Sequence, residues 1–269
     1  MNRILVCDPE FFDVNYEINP WMSTYDKPNT MKAKFQWEEM ISSLVQSGAQ
    51  IERIQPDPHY PDMVFTANAG IVRGNKVVLS NYRHPQRQGE KELFRRWFLD
   101  HGYEVIELPS NIFFEGEGDA LFFYDTLFMG YGVRTDKKAH PIVAEALGVK
   151  YVSCELIAAS FYHLDTCLFV TDNNFVYYRE AFGKISLSDM LKDVVDQTTQ
   201  RGSNIGISSV DRDQARSFIC KSIKVNHNII TPTDSNYGVF YVPTSSILHC
   251  DMSEFIKSGG AIKCLTLRL

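Results

Sequence analysis

No apolar run in the chain approaches the roughly 18 residues that a membrane-spanning helix needs. The opening stretch MNRILVCDPE has neither an apolar h-region nor a small-residue cleavage site, so the protein is expected to be cytoplasmic and to have no membrane partner. Cysteine is sparse. The six residues at 7, 154, 167, 220, 250 and 264 include no C-x-x-C pair and no closely spaced Cys/His set of the kind that binds zinc, so reduced thiols and no metal are expected. The absence of G-x-S-x-G removes the serine-hydrolase elbow, and the absence of G-x-x-x-x-G-K-[ST] removes the phosphate loop. No motif asks for a cofactor, and none is expected. Positive charge is the scarcer sign, 27 Lys and Arg against 33 Asp and Glu, which argues against a nucleic-acid surface and tilts towards a cationic small molecule.

What is present is enough apolar residue, 44% of 269, to bury a substantial core, and the length fits one large domain or two small ones. Periodicity predicts a strand at RILVC, an amphipathic helix over 33–48 stopped by Gly48, and a strand at IERI. After the Pro- and Asp-rich break QPDPHYPD, the stretch MVFTANAGIVRGNKVVLS reads as β-rich with a turn at Gly74-Asn75, followed by a helix at about 89–101 and a strand at YEVIEL. The same order returns as a hairpin in GDALFFYDTLFMG turning at Asp125-Thr126, a helix in DKKAHPIVAEALG, and a strand in KYVSC. A third hairpin, LDTCLFVTDNNFVYYR, turns at Asn173-Asn174. The hairpins open on Asn68, Asp119 and Asp165, separated by 51 and 46 residues. A period of about 50 residues marks a propeller-like ring or solenoid, and the chain length allows about five such units. The fourth reads as helical pieces around TTQRGSNIGISS. The fifth would hold YGVFYVP, a short helix around MSEFIKSGG, and a closing strand AIKCLTL carrying Cys264.

The hairpin starts, TANAG, FFEGEGDAL and YHLDTC, are charged where a ring interior should be apolar. EGEGD sets Glu115, Glu117 and Asp119 within five residues, at a spacing unlike the 12-residue calcium loop. On an extended strand His163 and Asp165 would face the same side. An acidic surface turn and a core histidine bonded to a carbonyl are the structural alternatives for these residues. Taken together, a thiol, a histidine and carboxylates suit attack on a cationic carbon. The thiolate of Cys264 would be favoured by charged His163 or by a bound cation, and the carboxylates would hold a guanidinium.

Six stretches, EINPWM at 17–22, PDMVFTANAG at 61–70, YRHPQRQGE at 82–90, FFEGEGDAL at 113–121, YHLDTC at 162–167 and GGAIKCLTL at 259–267, resemble in order those of the guanidino-group-modifying enzymes. These include arginine deiminases, dimethylarginine dimethylaminohydrolases, amidinotransferases and bacterial arginine dihydrolases. The resemblance implies an α/β fold, a five-bladed α/β propeller (pentein) of ββαβ modules around a central active site. It implies Cys264 as nucleophile, His163 as general acid/base and Glu115 as the acid that orients His163. Glu117 is a rival for that last role, because EGEGD is one residue longer than the usual E-G-G-D. Asp165 would grip guanidinium nitrogens, Arg87 and Arg134 would bind the substrate α-carboxylate, and Asn19 would face the substrate. Asn68 stands where deiminases and dimethylarginine hydrolases carry an aspartate.

EINPWM with FTANAG is most similar to the dihydrolase branch. That branch implies hydrolysis of free arginine through a covalent thiouronium to ornithine, carbon dioxide and ammonia. The alternatives are a one-round deiminase, a dimethylarginine hydrolase, a citrulline hydrolase, an amidinotransferase, or a non-catalytic ring like the ribosome anti-association factor. The expected partner is a small guanidino molecule, and a homo-oligomer is compatible with the sequence.

Overall fold

The computed structural model describes residues 2–234, 238–242 and 246–269. Strand β1 (Asn2–Cys7) runs into the helix Thr30–Gln46 and returns as β2 (Ala49–Ile54), parallel to β1. The helix forms because Ala33, Trp37, Met40 and Leu44 recur on one face and are buried, while the Asn29 side chain caps its start by accepting from Lys32 N.

Three further blades follow one rule: an antiparallel pair, a helical crossover, and a third strand parallel to the second. They are β3 (Gly70–Arg73), β4 (Lys76–Leu79) and β5 (Glu104–Ile106); β6 (Ala120–Phe123), β7 (Thr126–Tyr131) and β8 (Lys150–Glu155); and β9 (Leu168–Val170), β10 (Asn174–Tyr177) and β11 (Gly206–Ser209). A fourth repeat of the strand pattern gives β12 (Ile223–Val225), β13 (Asn228–Thr231) and β14 (Ser246–His249). Finally β15 (Leu267–Arg268) pairs antiparallel with β1, so the first blade is built from both ends of the chain. The five three-stranded sheets thus form a closed α/β propeller. Buried aromatics such as Phe123, Phe128 and Phe175 pack between neighbouring blades, each contributing about 2 kcal/mol by leaving water. Among the described residues no helix is long and apolar enough to cross a membrane.

Five expectations are corrected by the backbone. Residues 61–69 form two 3-10 turns, Pro61–Val64 and Thr66–Ala69, rather than a strand, since the proline at the start favours a tight turn. The hairpin loops sit one residue earlier than expected: Phe123 pairs with Thr126, leaving Tyr124-Asp125 as the loop, and Thr171 N already donates to Asn174 O. The polar break of the fourth unit holds β11, which pairs with β10. Of YGVFYVP, residues 238–242 carry no strand and the rest lies outside the described residues; the blade is instead built on the Asn226-His227 turn, with Asn226 at φ 50. Cys264 and Asp165 lie in turns, not strands.

Those last two positions express a general feature. A short turn leads into each blade: Thr66–Ala69, Gly116–Asp119, Leu164–Thr166, Ile219–Lys221 and residues 261–265. Neighbouring turns are tied together, Ala67 N to Cys264 O at 3.1 Å, Lys263 N to Lys221 O at 2.9 Å, and Leu164 N to the Asp119 carboxylate at 3.0 Å. Asn68, Asp119, Asp165, Lys221 and Cys264 occupy these turns, one in each.

Candidate active site

Cys264 sits at the end of a tight turn, its N–H bonded to Ala261 O at 3.0 Å. Gly259 takes φ 78, and a side chain at Gly260 would collide with the Phe65 ring, so the two glycines let this segment pass close to the turn before β3. The sulfur is nearly fully buried, 3.1 Å from Asp165 Oδ2 and 3.1 Å from Lys221 Nζ. Burial pushes the thiol up to about 11, the Asp165 charge adding to it and the Lys221 charge opposing it.

His163 stands in extended backbone just before the turn Leu164–Thr166, with Nε2 2.7 Å from Glu115 Oε2. The two glutamates are sent to different partners by Gly116, whose φ of 55 turns the chain between them. Glu115 points to His163, while Glu117 points to Lys263 Nζ at 2.7 Å. Burial would raise the Glu115 carboxyl, yet the Arg134 guanidinium and His163 outweigh it and hold it well below the usual carboxylate range. Arg134 Nη1 donates to Glu115 Oε2 at 2.8 Å and Nη2 to Ile18 O at 2.8 Å. Gly118 is wedged between Asn68 and His163, with no room there for a Cβ.

Asn19, Asn68, Arg87, Arg134, His163 and Cys264 line one small cavity, while Glu115 and Asp165 stand directly behind His163 and Cys264. Arg87 is already engaged: it forms a bidentate pair with Glu90 at 2.8 Å and donates to Asn68 Oδ1 at 2.9 Å and to Asp62 O at 3.1 Å. Burial lifts Glu90 to about 7 against the pull of Arg87. Asn19 braces the wall, with Nδ2 on Ser258 O and Oδ1 accepting from Trp21 N.

Among the described residues, four buried polar atoms at this site have no hydrogen-bond partner: Asp62 Oδ1, Asn68 Nδ2, Arg134 Nε and Asp165 Oδ1. Unsatisfied buried groups are costly, and their concentration here marks a place built to receive a polar molecule. Both an acceptor pair and a donor pair await it. Among the described residues no group of three or more His, Cys, Asp or Glu side chains could hold a metal.

Sequence reasoning missed Asp62, Glu90 and Lys221. Asp62 and Glu90 lay inside stretches quoted for the resemblance but were given no role, and Lys221 lay in the apolar-looking FICKSIKV. The signal that would have found Lys221 is the repeat itself, because it fills in one blade the position that Asn68, Asp119, Asp165 and Cys264 fill in the others.

The family model described as N,N dimethylarginine dimethylhydrolase, eukaryotic, matches residues 9–269. The chain belongs to that family. Within and around it, the chain is 38% identical to the bifunctional arginine dihydrolase/ornithine cyclodeaminase ArgZ of Synechocystis, over 99% of this chain and 37% of that protein. It is 32% identical to the N(G),N(G)-dimethylarginine dimethylaminohydrolase of Mycobacterium tuberculosis, over 99% of this chain and 85% of that one. The chain therefore spans little more than a third of the bifunctional relative's length. The solved N-terminal domain of ArgZ bound to its substrate superposes with TM-score 0.89 at 36% identity, covering 100% of this chain and 98% of that one. The same domain covalently bound to a reaction intermediate gives TM-score 0.90. The family's propeller agrees with the five sheets described above.

Proposed function

We propose that residues 1–269 act as one ring that hydrolyses the guanidino group of free arginine and carries the reaction through to ornithine. The observation that carries this reading is Asn68. Its Oδ1 is committed to Arg87, so the atom left at the site is the amide Nδ2, a donor. A donor suits the ureido oxygen of citrulline, which a carboxylate at this position would repel. The product of a first hydrolysis would thus be held for a second.

Asp62 Oδ1 and Asp165 Oδ1, the two unpartnered carboxylate oxygens, suit the N–H groups of the guanidinium. The free Nε of Arg134 suits the α-carboxylate; Arg87, with four protein bonds, contributes mainly charge. A bound guanidinium brings the positive charge that the high-pKa Cys264 thiol needs to ionise. The thiolate attacks the guanidinium carbon, and His163, oriented through Nε2 by Glu115, protonates the departing ammonia. A water deprotonated by His163 then releases citrulline from the thiouronium. A second round yields ornithine, carbon dioxide and another ammonia, so arginine and two waters are consumed in all.

Purified protein incubated with arginine should release two ammonia per ornithine. One ammonia with accumulating citrulline would refute the second round. The family match and the mycobacterial relative favour one other reading, dimethylarginine hydrolysis, for which dimethylamine release from dimethylarginine would be the sign.

A further inference from the structure

The proposed reaction sets two requirements against each other at one sulfur. Asp165 has to be a carboxylate to hold a cationic substrate, yet its Oδ2 lies 3.1 Å from Cys264 Sγ, where negative charge opposes a thiolate. A buried cation answers this conflict. Lys221 Nζ is 3.1 Å from the same sulfur and 3.9 Å from Asp165 Oδ1, and the side chain has no solvent exposure. It also donates to Gly259 O and lies 4.9 Å from the Phe218 ring centroid and 5.4 Å from that of Tyr162.

The groups facing this ammonium are Asp165 from the turn before β9, Tyr162 beside it, and Cys264 from the closing turn; the Arg134 guanidinium also lies 4.9 Å from the Tyr162 ring centroid. Burial alone would lower the lysine pKa. The charges of Cys264, Tyr162 and Asp165 outweigh burial and hold its pKa above the ordinary lysine value.

We propose that Lys221 is a catalytic residue of this site, whose ammonium holds Cys264 as a thiolate both when the sulfur attacks the substrate carbon and when it is expelled from the adduct. The role rests on the reading of the preceding subsection. In the first half the thiol proton leaves to solvent, an S–C bond forms at the guanidinium carbon, and the C–N bond breaks as ammonia departs with a proton from His163. In the second half water oxygen adds to that carbon, its proton passes to His163, and the C–S bond breaks with the electron pair returning to sulfur beside Nζ. Lys221 keeps its proton throughout. A two-round enzyme would use it four times per arginine, twice in attack and twice in release.

The test is alkylation of Cys264 by iodoacetamide at fixed pH, with Cys264→Ala giving the background of the five other thiols. Removing an opposite charge at this distance raises a thiol pKa by about two units, and the stronger nucleophilicity of the more basic thiolate recovers about half of that on the logarithmic scale. Lys221→Met should therefore be alkylated about tenfold more slowly than wild type, and Lys221→Arg, which keeps the charge, within about threefold. Lys221→Met reacting at the wild-type rate overturns the proposal. If the neutral variant does not fold, Lys221→Arg decides alone: a tenfold fall overturns the proposal, and retention supports it. Steady-state turnover of arginine adds a second readout, a loss in kcat larger than any change in KM. Alkylation needs no substrate, so a wild-type protein that leaves arginine intact refutes the proposed function without touching this test.

Discussion

Replacing Gly118 with alanine puts a methyl group between the two side chains on which the proposed chemistry depends. The new Cβ would lie 3.1 Å from His163 Nδ1 and closer still to Asn68 Nδ2. Ordinary contact is about 3.5 Å, so the amide must move by about 1 Å and the imidazole by a few tenths. Neither can retreat freely. Asn68 is held by Arg87 Nη1 at 2.9 Å and His163 by Glu115 at 2.7 Å, both inside the protein. Overpacking of this kind costs about 1–3 kcal/mol, of which alanine's advantage over glycine in a helical turn recovers up to about 1. A net loss of about 1–2 kcal/mol lowers Tm by several degrees in a domain of this size, leaving the protein folded at room temperature. A shift of about 1 Å in a group that positions the substrate costs roughly a hundredfold in rate. The assay is ammonia release at saturating arginine beside a thermal melt. A folded variant with kcat within about threefold of wild type would refute the placement of both residues.

Asn68→Asp should shift the product ratio from ornithine towards citrulline, measured by amino-acid analysis after complete consumption of arginine; an unchanged ratio sinks the role given to the amide. His163→Ala should lower turnover by about a hundredfold or more with the fold retained by circular dichroism, as general acid–base catalysis is worth about 10²–10⁴; wild-type turnover would contradict its assignment. His140 is buried, with its ring nitrogens on Ser153 Oγ and Gly130 O, and burial first, then Lys137, depresses its pKa from 6.5 to about 4. A depressed folded-state value means stability that is fully present above pH 6.5 and is lost as pH falls towards 4, by about 3 kcal/mol. In denaturant unfolding, His140→Gln should therefore lose less stability than wild type over that interval, and parallel curves would count against it.

The repeat of about 50 residues and the order of hairpin, helix and strand were legible because apolar alternation and turn residues are local signals. The cysteine and histidine proposed for catalysis were legible through the stretches around them. What local signals missed was the backbone that presents them. His163 and Asp165, two apart, looked like neighbours on one face of a strand; the 3-10 turn instead sends His163 to Glu115 and Asp165 to Cys264. Cys264 looked like part of a strand because AIKCLTL is apolar and β-rich, while its turn is fixed by contacts to residues near Phe65, almost 200 positions earlier. Lys221 was illegible for a related reason. A single lysine in an apolar segment reads as a solvated tip, and only the closed ring brings Asp165 and Cys264 to it.

The seam between β1 and β15 has a further bearing on how the protein comes to work. Ile4 pairs with Arg268, Leu5 with Leu267, and Leu269 N donates to Arg3 O at 3.0 Å, so the strand that follows the Cys264 turn is held by the strand that opens the first blade. Pairing segments so far apart in sequence closes a large loop, which makes it a slow contact to form. Until it happens, the strand that follows the Cys264 turn lacks its partner. Opening of this seam would therefore loosen the turn that carries Cys264 while the other four sheets stay paired.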